Sequence, residues 1–382
     1  MRTIQFAQQV SSSYEQFLLP DFPRRHFTQE TFYGVLDRLL ISSAGAFITR
    51  QVGESFEKRP IRLISVGSGR INVLIWSQMH GDEPTATMAI ADILNYILTV
   101  QSTEAVQQLL SSLTLHFLPM LNPDGTARVQ RRTAQHIDMN RDALALVTPE
   151  ARVLKSVRDE LIPQFGFNLH DQELSTVETS KELTAIALLV PAFDAEKSDN
   201  EIRIRAKHLA AVLAATMQQF IPENIARYDD TFEPRAFGDN MQKWGTSTLL
   251  VESGHNLHDP EKETVRKLNV IGILSSLYAI ATGEYLESDI DRYQLLPFNG
   301  KKAYDVIVRD VKIDYGEGRT ARVDIGLSYQ VDTHSEATPK LVDIGDLGTY
   351  IGLKEINGTE KKISHSLLMM NQSFEWEKHF SL

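Results

Sequence analysis

Short apolar runs alternate with segments of helical periodicity between about residues 61 and 285, and this order constrains the fold more than any other feature. Helical spacing of the apolar residues predicts helices over 85–99, about 201–220 and 261–281. The short apolar runs predict strands over 61–67, 71–78, 113–121, 165–170, 184–191 and 246–253. Continuous apolar runs are typical of strands that are covered on both faces. The sequence therefore predicts an α/β fold with a mixed, mostly parallel sheet and helices on both faces.

The pattern changes after Glu284, where long helical segments give way to alternation with a period of two. This alternation runs through 304–315 and 320–331, and a stretch punctuated by glycine follows at 341–358. It predicts a small antiparallel β domain over residues 296–382, after a first domain over residues 1–290 and a linker around 295–302.

Composition excludes several classes of function. The chain has 382 residues, of which 42% are hydrophobic and 23% charged, as is usual for a folded protein. Its net charge of −11 argues against a nucleic-acid partner, since a phosphate backbone attracts a basic surface. No stretch approaches the roughly 20 apolar residues that span a membrane, and no signal peptide is evident at the start, so we expect a cytoplasmic location. The absence of cysteine excludes disulfides and thiolate ligands, and nothing in the sequence predicts an oligomeric state.

Polar side chains that can bind a metal ion or transfer a proton follow three of the predicted strands. His80 and Glu83 lie in SQMHGDEP (77–84), directly after one strand, while His170 and Glu252 end two others. Two imidazoles and one carboxylate form a common catalytic zinc set that leaves a position for water, and another carboxylate could take a proton from that water. Each group alone also fits a solvated loop, a hydrogen-bonded histidine or half of a buried ion pair. The combination favours a metal site, because charged groups at the ends of buried strands need partners.

A second polar segment, RRTAQHIDMNRD (131–142), gathers Arg131, Arg132 and Arg141 between two predicted strands. A guanidinium group can hold a carboxylate through two parallel hydrogen bonds, or it can stabilise a developing oxyanion. The alternative interpretation is a solvated basic loop in an acidic protein.

Taken in order, six segments resemble the zinc metallocarboxypeptidase family, the group that includes the pancreatic carboxypeptidases. The resemblance covers roughly residues 50 to 260 and leaves the predicted β domain unexplained, as in a bacterial-type member with an extra C-terminal domain. The six segments are VGESFEKRPIRLISVG (52–67), HGDE (80–83), NPDG (122–125), RRTAQHIDMNRD (131–142), NLHDQ (168–172) and TLLVESG (248–254).

The resemblance implies one Zn2+ per chain, held by His80, Glu83 and His170. It implies that Glu252 is the general base for the zinc water and then the acid for the leaving amine. Asp171 is the next candidate for the base. Asp82 is a weaker candidate for a ligand, because a spacing of two leaves little loop to turn both side chains toward one ion.

The same resemblance implies that Asn140 and Arg141 hold the terminal carboxylate of the substrate. It assigns Arg131 to the oxyanion, with Arg132 as a neighbouring candidate that the spacing does not exclude. Asp142 follows the Asn-Arg pair where several family members carry Asn, and we expect it to support the fold or to contact the substrate.

The sequence departs from the family where a tyrosine on a mobile loop is expected about twenty residues before the glutamate. Tyr228 is the only nearby tyrosine, and RAFGDNMQKWG (235–245) occupies the expected segment. We interpret His255 and His258 as residues of the cleft rim or a helix cap, with a second metal pair as the alternative. His116 is expected to be a core histidine and His136 a loop residue.

Three functions remain open at this stage. The leading hypothesis is a zinc carboxypeptidase that cleaves the peptide bond next to a free C-terminal carboxylate. The alternatives are a zinc amidase or deacylase of N-acyl or cell-wall peptide substrates, and an inactive member that binds peptides or carbohydrate through its β domain. The expected partner is a peptide or an acyl-amino-acid substrate. Glu252 argues against the inactive member, because a binding protein does not need a general base.

Overall fold

The computed structural model describes residues 2–20, 22, 26–329 and 338–380. The chain divides into two compact units, of which the first comprises Met1–Glu173 and Thr184–Phe298 and the second comprises Leu174–Leu183 and Asn299–Leu382. The sequence placed a boundary between residues 290 and 296 and gave no sign that residues 174–183 belong to the second unit.

The helices and strands follow the predicted alternation, and helices and a strand also precede residue 61. The helices are α1 Arg2–Ser13, α2 Gln29–Ser42, α3 Thr85–Thr99, α4 Glu104–Ser112, α5 Pro123–Ala127, α6 Pro149–Leu161, α7 Glu201–Met217, α8 Phe237–Lys243, α9 Glu263–Thr282, α10 Asp291–Gln294 and α11 Trp376–Phe380. The strands are β1 Ile48–Glu54, β2 Pro60–Gly67, β3 Ile71–Ser77, β4 Leu113–Leu118, β5 Phe165–Asp171, β6 Thr176–Val177, β7 Ile186–Leu189, β8 Ile225–Arg227, β9 Ser247–Ser253, β10 Asn299–Gly300, β11 Ala303–Asp314, β12 Thr320–Ser328, β13 Lys340–Gly345, β14 Ile351–Asn357 and β15 Lys362–Ser364.

The first unit is built on an eight-stranded sheet with the order β1-β2-β4-β3-β5-β9-β7-β8. The central pairs β4–β3, β3–β5 and β5–β9 are parallel, while β1–β2, β2–β4 and β7–β9 are antiparallel. The prediction of a mixed, mostly parallel sheet with flanking helices is therefore confirmed.

Both faces of this sheet are covered, as the continuous apolar runs predicted. Alternate residues of a strand point to opposite faces, and in β3 Val73 and Ile75 join one buried cluster whereas Leu74 and Trp76 join another. The first cluster includes residues of α1, α3, α7 and α9, and the second includes residues of α6 and α8. Burial on both faces fixes the register of the central strands, so their carboxyl ends meet at one edge.

A buried ion pair fixes the long helix α9 against α3 on the first face. Arg266 donates to both oxygens of Asp92, at 2.7 and 2.8 Å, and both side chains are almost fully buried. A bidentate guanidinium–carboxylate pair is geometrically specific, so it sets the position of α9 relative to α3.

The second unit contains a five-stranded sheet. Strands β11, β12 and β13 pair antiparallel, but β14 and β15 both pair parallel to β11. The prediction of an antiparallel sheet therefore holds for β11–β13 only, because a period of two is common to both kinds of pairing. Of the strand predicted over 320–331, residues 330–331 lie outside the described residues.

A separate two-stranded pairing joins β6 and β10 within this second unit. Over the described ranges, no helix is long and apolar enough to cross a bilayer.

The loop that follows β3 depends on a close backbone approach at Gly81. A Cβ atom at this position would lie 2.0 Å from the carbonyl carbon of Gly125 and 2.2 Å from the Thr126 nitrogen. We expect Gly81→Ala to lower the free energy of unfolding by roughly 1–3 kcal/mol, as overpacking does elsewhere. The measurement is urea unfolding of the metal-free protein.

The matched control is Gly34→Ala in helix α2, where an added Cβ meets nothing within 4 Å. It should raise the free energy of unfolding by roughly 0.5–1 kcal/mol, because alanine loses less backbone entropy in a helix. A Gly81→Ala protein as stable as the parent would contradict the close approach.

Candidate metal centre and active site

His80, Glu83 and His170 converge at the carboxyl edge of the sheet, and their ligand atoms all lie within 4.8 Å of one another. One oxygen of Glu83 lies 2.7 Å from Nδ1 of His80, and the other lies 2.7 Å from Nδ1 of His170. All three side chains are buried, with 6% of Glu83 exposed at most. These are the three residues that the sequence suggested as ligands, and no other such group of three or more occurs among the described residues.

The far side of the His80 ring contacts Asp138, whose Oδ1 lies 3.1 Å from Nε2. A carboxylate at this nitrogen fixes the tautomer and orientation of a metal-binding imidazole. Asp138 also accepts a hydrogen bond from its near neighbour, the backbone N–H of Asn140, at 2.9 Å. Asp138 was not predicted from the sequence, although it lies two residues before Asn140 in the segment 131–142.

Arg131 reaches the same group, whereas Arg132 turns away from it. Nη1 of Arg131 lies 3.1 Å from Nδ1 of His80 and 3.2 Å from Oε1 of Glu83. Arg132 donates instead to the carbonyl oxygen of His136, at 3.0 Å. Because the Arg131 side chain is 45% exposed, its guanidinium group faces the open side of the site.

Opposite charges and burial shift the pKa values of the three candidate ligands in different directions. Burial would lower the pKa of His80, but Glu83 and Asp138 outweigh it and raise that pKa to about 9. Burial would raise the pKa of Glu83, yet the two imidazoles hold it well below its ordinary value. Burial lowers the pKa of His170. The group therefore contains a firmly ionised carboxylate, one protonated imidazole near neutral pH and one neutral imidazole.

Glu252 lies directly opposite His170 in the β5–β9 pairing. Burial, reinforced by the charge of Glu83, raises the pKa of the Glu252 carboxyl group to about 8. Its Oε2 atom is buried and has no hydrogen-bond partner among the described residues. A carboxyl group in this state can exchange a proton near neutral pH, as a general base or acid requires.

Asn140 and Arg141 lie on a short 3-10 helix, Met139–Arg141, next to the loop before α8. Oδ1 of Asn140 accepts from the backbone N–H of Phe237 at 2.9 Å. Arg141 donates from Nη1 to the Asn140 carbonyl oxygen at 2.7 Å, and its Nε lies 3.3 Å from Oε2 of Glu233. Glu233 in turn receives two hydrogen bonds from the guanidinium group of Arg235, so its charge is shared between two arginines.

Asp142 supports the local fold. Its carboxylate accepts from the backbone N–H groups of Val147 and Thr148 and from the Thr148 hydroxyl, at 2.8 to 2.9 Å. It thereby fixes the turn that leads into α6.

Tyr228 is near the candidate base but is not enclosed. Burial and the charge of Glu252 raise the pKa of the Tyr228 hydroxyl group, while 37% of the residue stays exposed. Its backbone N–H donates to the Leu188 carbonyl oxygen at 2.8 Å, which anchors the start of the loop after β8.

The remaining candidates lie outside the ligand group. His116 is a buried histidine whose ring contacts Ser65 at 2.8 Å and Asn72 at 3.3 Å. Neither His255 nor His258 joins a metal group of three or more within the described part of the chain, and neither does Asp82.

The three converging side chains fit a divalent metal ion. Two imidazoles and one carboxylate are a donor set that zinc prefers, and three protein ligands leave a coordination position for water. Nη1 of Arg131 lies close to ligand atoms of two of the three residues, which indicates that the group attracts a cation. On the neighbouring strand β9, the buried Oε2 atom of Glu252 has no hydrogen-bond partner among the described residues, and its carboxyl group can exchange a proton near neutral pH.

Comparison with known proteins finds similarity over part of the chain. The family model described as zinc carboxypeptidase matches residues 34–170. Carboxypeptidase 2 of Trichophyton rubrum is 28% identical over 152 residues, which cover 37% of this chain. Carboxypeptidase A2 of Rattus norvegicus is 29% identical over 117 residues, or 28% of this chain. The matched stretches span only 28% of the length of each relative.

Solved structures show the same fold. A metallo-carboxypeptidase from Pseudomonas aeruginosa, in complex with (2-guanidinoethylmercapto)succinic acid, superimposes with a TM-score of 0.54 and 17% identity over 68% of this chain and 70% of the other. Bovine thrombin-activatable fibrinolysis inhibitor superimposes with a TM-score of 0.55 and 12% identity over 69% of this chain and 98% of the other.

The pKa values of the metal-free site predict that metal binding releases protons. His80 and Glu252 have pKa values of about 9 and 8, so both hold a proton near pH 7 and must lose it beside a dication. Between pH 6 and 8 we expect apparent zinc affinity to rise about tenfold per pH unit for each proton released. Calorimetric titrations of zinc in two buffers of different ionisation enthalpy measure the number of protons released.

The variant Glu252→Gln provides the control, because it removes one of the two protonated groups, namely the one that is not a candidate ligand. It should release about one proton fewer than the parent. Zinc binding without proton release by the parent protein would show that the assigned protonation states are wrong.

Proposed function

Because residues 34–170 lie in a domain of the zinc carboxypeptidase family, we propose that this protein hydrolyses the peptide bond next to a free C-terminal carboxylate. The proposal includes one zinc ion per chain, held by His80, Glu83 and His170. Its substrates are peptides, or small acyl-amino acids of the same chemistry.

The observation that carries the proposal is the position of Glu252 beside the converged ligands. A binding site for a structural metal has no use for a buried carboxyl oxygen that lacks a hydrogen-bond partner among the described residues, whereas hydrolysis needs a group there that can take up a proton. The arginines at the open side of the site favour an anionic substrate and an anionic transition state.

Zinc bound at this site supplies an electrophile that lowers the pKa of water and polarises a carbonyl group. Glu252 accepts the proton of the attacking water and later returns it to the leaving amine, which its place opposite His170 at the end of β9 favours. Asp138 keeps the His80 ring in the orientation in which Nδ1 faces Glu83.

Arg131 is the group that we assign to the developing oxyanion. Its guanidinium lies beside the ligands and is partly exposed, so it can move toward a substrate carbonyl as charge develops. Arg132 is not assigned a role, because it donates to the His136 carbonyl oxygen, whereas Arg131 reaches His80 and Glu83. Tyr228 lies within electrostatic reach of Glu252 and is our candidate for the residue that covers a bound substrate.

Asn140 and Arg141 are assigned to the terminal carboxylate of the substrate. Oδ1 of Asn140 is already held by Phe237, which leaves its amide Nδ2 as a donor. Arg141 uses Nη1 and Nε for its neighbours, and its Nη2 atom carries no hydrogen bond to the described residues. The Nδ2 atom of Asn140 and the Nη2 atom of Arg141 can therefore both donate to one carboxylate. Two arginines, Arg141 and Arg235, surround the single negative charge of Glu233, so a positive charge remains for that carboxylate.

We expect Glu252→Gln to keep the fold and the metal while it loses activity on an unblocked peptide. The amide cannot accept the proton of water, and loss of a general base typically lowers the rate about a hundredfold to ten-thousandfold. Steady-state kinetics and metal analysis of the same preparation test this expectation.

An exposed carboxylate far along the chain in sequence, changed in Glu196→Gln, provides the control and should leave both readouts unchanged. A fully active, zinc-loaded Glu252→Gln protein would move the base to another residue, for which Asp171, directly after His170, is the next candidate.

The carboxylate assignment predicts discrimination between free and amidated peptides. Blocking the terminal carboxylate should remove a charge-assisted hydrogen bond of about 1.5–3 kcal/mol, or roughly a tenfold to two-hundredfold drop in kcat/KM. Arg141→Ala should narrow this gap, and Arg141→Lys should restore it only in part, since lysine lacks the planar fork. Paired kinetics on the two peptides measure the gap.

Arg128→Ala is the matched control, because Arg128 is an exposed arginine that pairs with Glu57. It should leave the gap at the parent value. Equal hydrolysis of free and amidated peptides by the parent protein would favour a zinc amidase or deacylase instead, and would leave the assignment of the metal ligands and Glu252 intact.

A further inference from the structure

Lys262 is a fully buried lysine in the first unit, and the proposed mechanism does not use it. None of its surface is exposed, and it immediately precedes helix α9. Its backbone has a φ of 55°, in the left-handed region that residues with a Cβ seldom adopt. A buried charge on a strained backbone persists only where its contacts over-determine it.

Those contacts reach the ends of the two strands that carry the site. Nζ of Lys262 donates to the carbonyl oxygen of Ser253 at 3.0 Å and to Oδ2 of Asp171 at 3.2 Å. Ser253 follows Glu252 on β9, and Asp171 follows His170 on β5. One ammonium group thus joins the residue after the candidate base to the residue after a candidate ligand.

Asp171 extends this connection to the third ligand. Its backbone N–H donates to Oε2 of Glu83 at 3.2 Å, and its Oδ2 accepts from the Thr85 hydroxyl at 2.6 Å. Thr85 is the first residue of α3, two residues after Glu83. A chain of hydrogen bonds therefore runs from the start of α9, through Asp171, to the loop that bears Glu83.

The start of α9 is itself held in place from two directions. Nδ2 of Asn269 donates to the Ser253 hydroxyl at 2.9 Å, and the Arg266–Asp92 pair fixes the same helix to α3. Lys262 is consequently attached to a rigid support, so that its ammonium group can impose a position on the strand ends.

We propose that Lys262 is a positioning residue that fixes Glu252 relative to His170 and Glu83 in the metal-loaded enzyme. The part of this inference that concerns catalysis rests on the proposed function; the part that concerns metal retention does not. Lys262→Met keeps most of the length and the apolar character of the side chain and removes the hydrogen bonds to Ser253 and Asp171. We expect it to raise the rate of zinc loss to excess chelator about tenfold, as changes behind metal ligands do.

On an unblocked peptide, the same variant should lower kcat about tenfold to a hundredfold with KM within about twofold, since a small displacement of a reacting group has effects of this size. The parent protein and Lys207→Met are the controls that separate positioning from loss of stability. Lys207→Met removes another buried lysine, which pairs with Asp199 at 2.6 Å. Lys207→Met should lose stability and retain the parent zinc-loss rate and kcat at a temperature well below unfolding.

The double variant Lys262→Met with Asp171→Asn covers the case in which the single variant fails to fold. Removing both charges leaves no uncompensated buried carboxylate, so the double variant should regain much of the stability. It still lacks the connection between the strand ends, so fast zinc loss and low kcat should persist.

The proposal would be overturned if the double variant recovered the parent zinc-loss rate and kcat together with its stability. It would also be overturned by a folded Lys262→Met protein whose zinc-loss rate and kcat lie within about twofold of the controls. A parent protein that binds zinc and cleaves no unblocked peptide would refute the proposed function. In that case the zinc-loss comparison alone would decide the role of Lys262.

Discussion

The carboxylate of Glu83 is the interaction on which the rest of the site depends. It is buried, it contacts the imidazoles of His80 and His170 at 2.7 Å each, and it accepts the backbone N–H of Asp171. A buried carboxylate needs compensating positive charge. In the metal-free protein a proton on His80, with a pKa of about 9, supplies it. A bound dication would replace that proton, so the same electrostatic requirement organises the loop before metal binding and selects a cation.

The contacts around Glu83 make one side of the site buried and rigid and leave the other side open. On the buried side, Asp171 contacts the carboxylate of Glu83 through its backbone N–H, and the ammonium group of Lys262 pairs with the carboxylate of Asp171. On the open side, Arg131 and Arg141 are each more than a third exposed. The rigid side suits a metal ion that must be held in one geometry, while the open side suits a substrate that must enter and leave. This division follows from the parallel strands β3, β5 and β9, whose ends form a single edge.

The sequence predicted the parts of the site that depend on a periodic pattern. His80, His170 and Glu252 follow apolar runs, and parallel strand ends converge, so their proximity was predictable. Lys262 was not, because a lysine before a helix usually lies in solvent and nothing local reveals burial. Asp138 lies in an irregular segment, where no periodic pattern of apolar residues indicates which way a side chain points. The inclusion of residues 174–183 in the second unit rests on strands of two residues, too short to produce a pattern. Arg131 and Arg132 differ only in the direction in which a loop turns them.

The most direct test of the account is to identify the product released from one unblocked peptide by chelated protein and by the same protein after zinc is restored. Mass spectrometry of the reaction shows which bond is cut, and metal analysis of each sample gives the zinc content. The account predicts one free amino acid from the carboxyl end, no product after chelation, and recovery as zinc approaches one ion per chain. Cleavage that persists in the zinc-free protein, or a first cut at an internal bond, would contradict it.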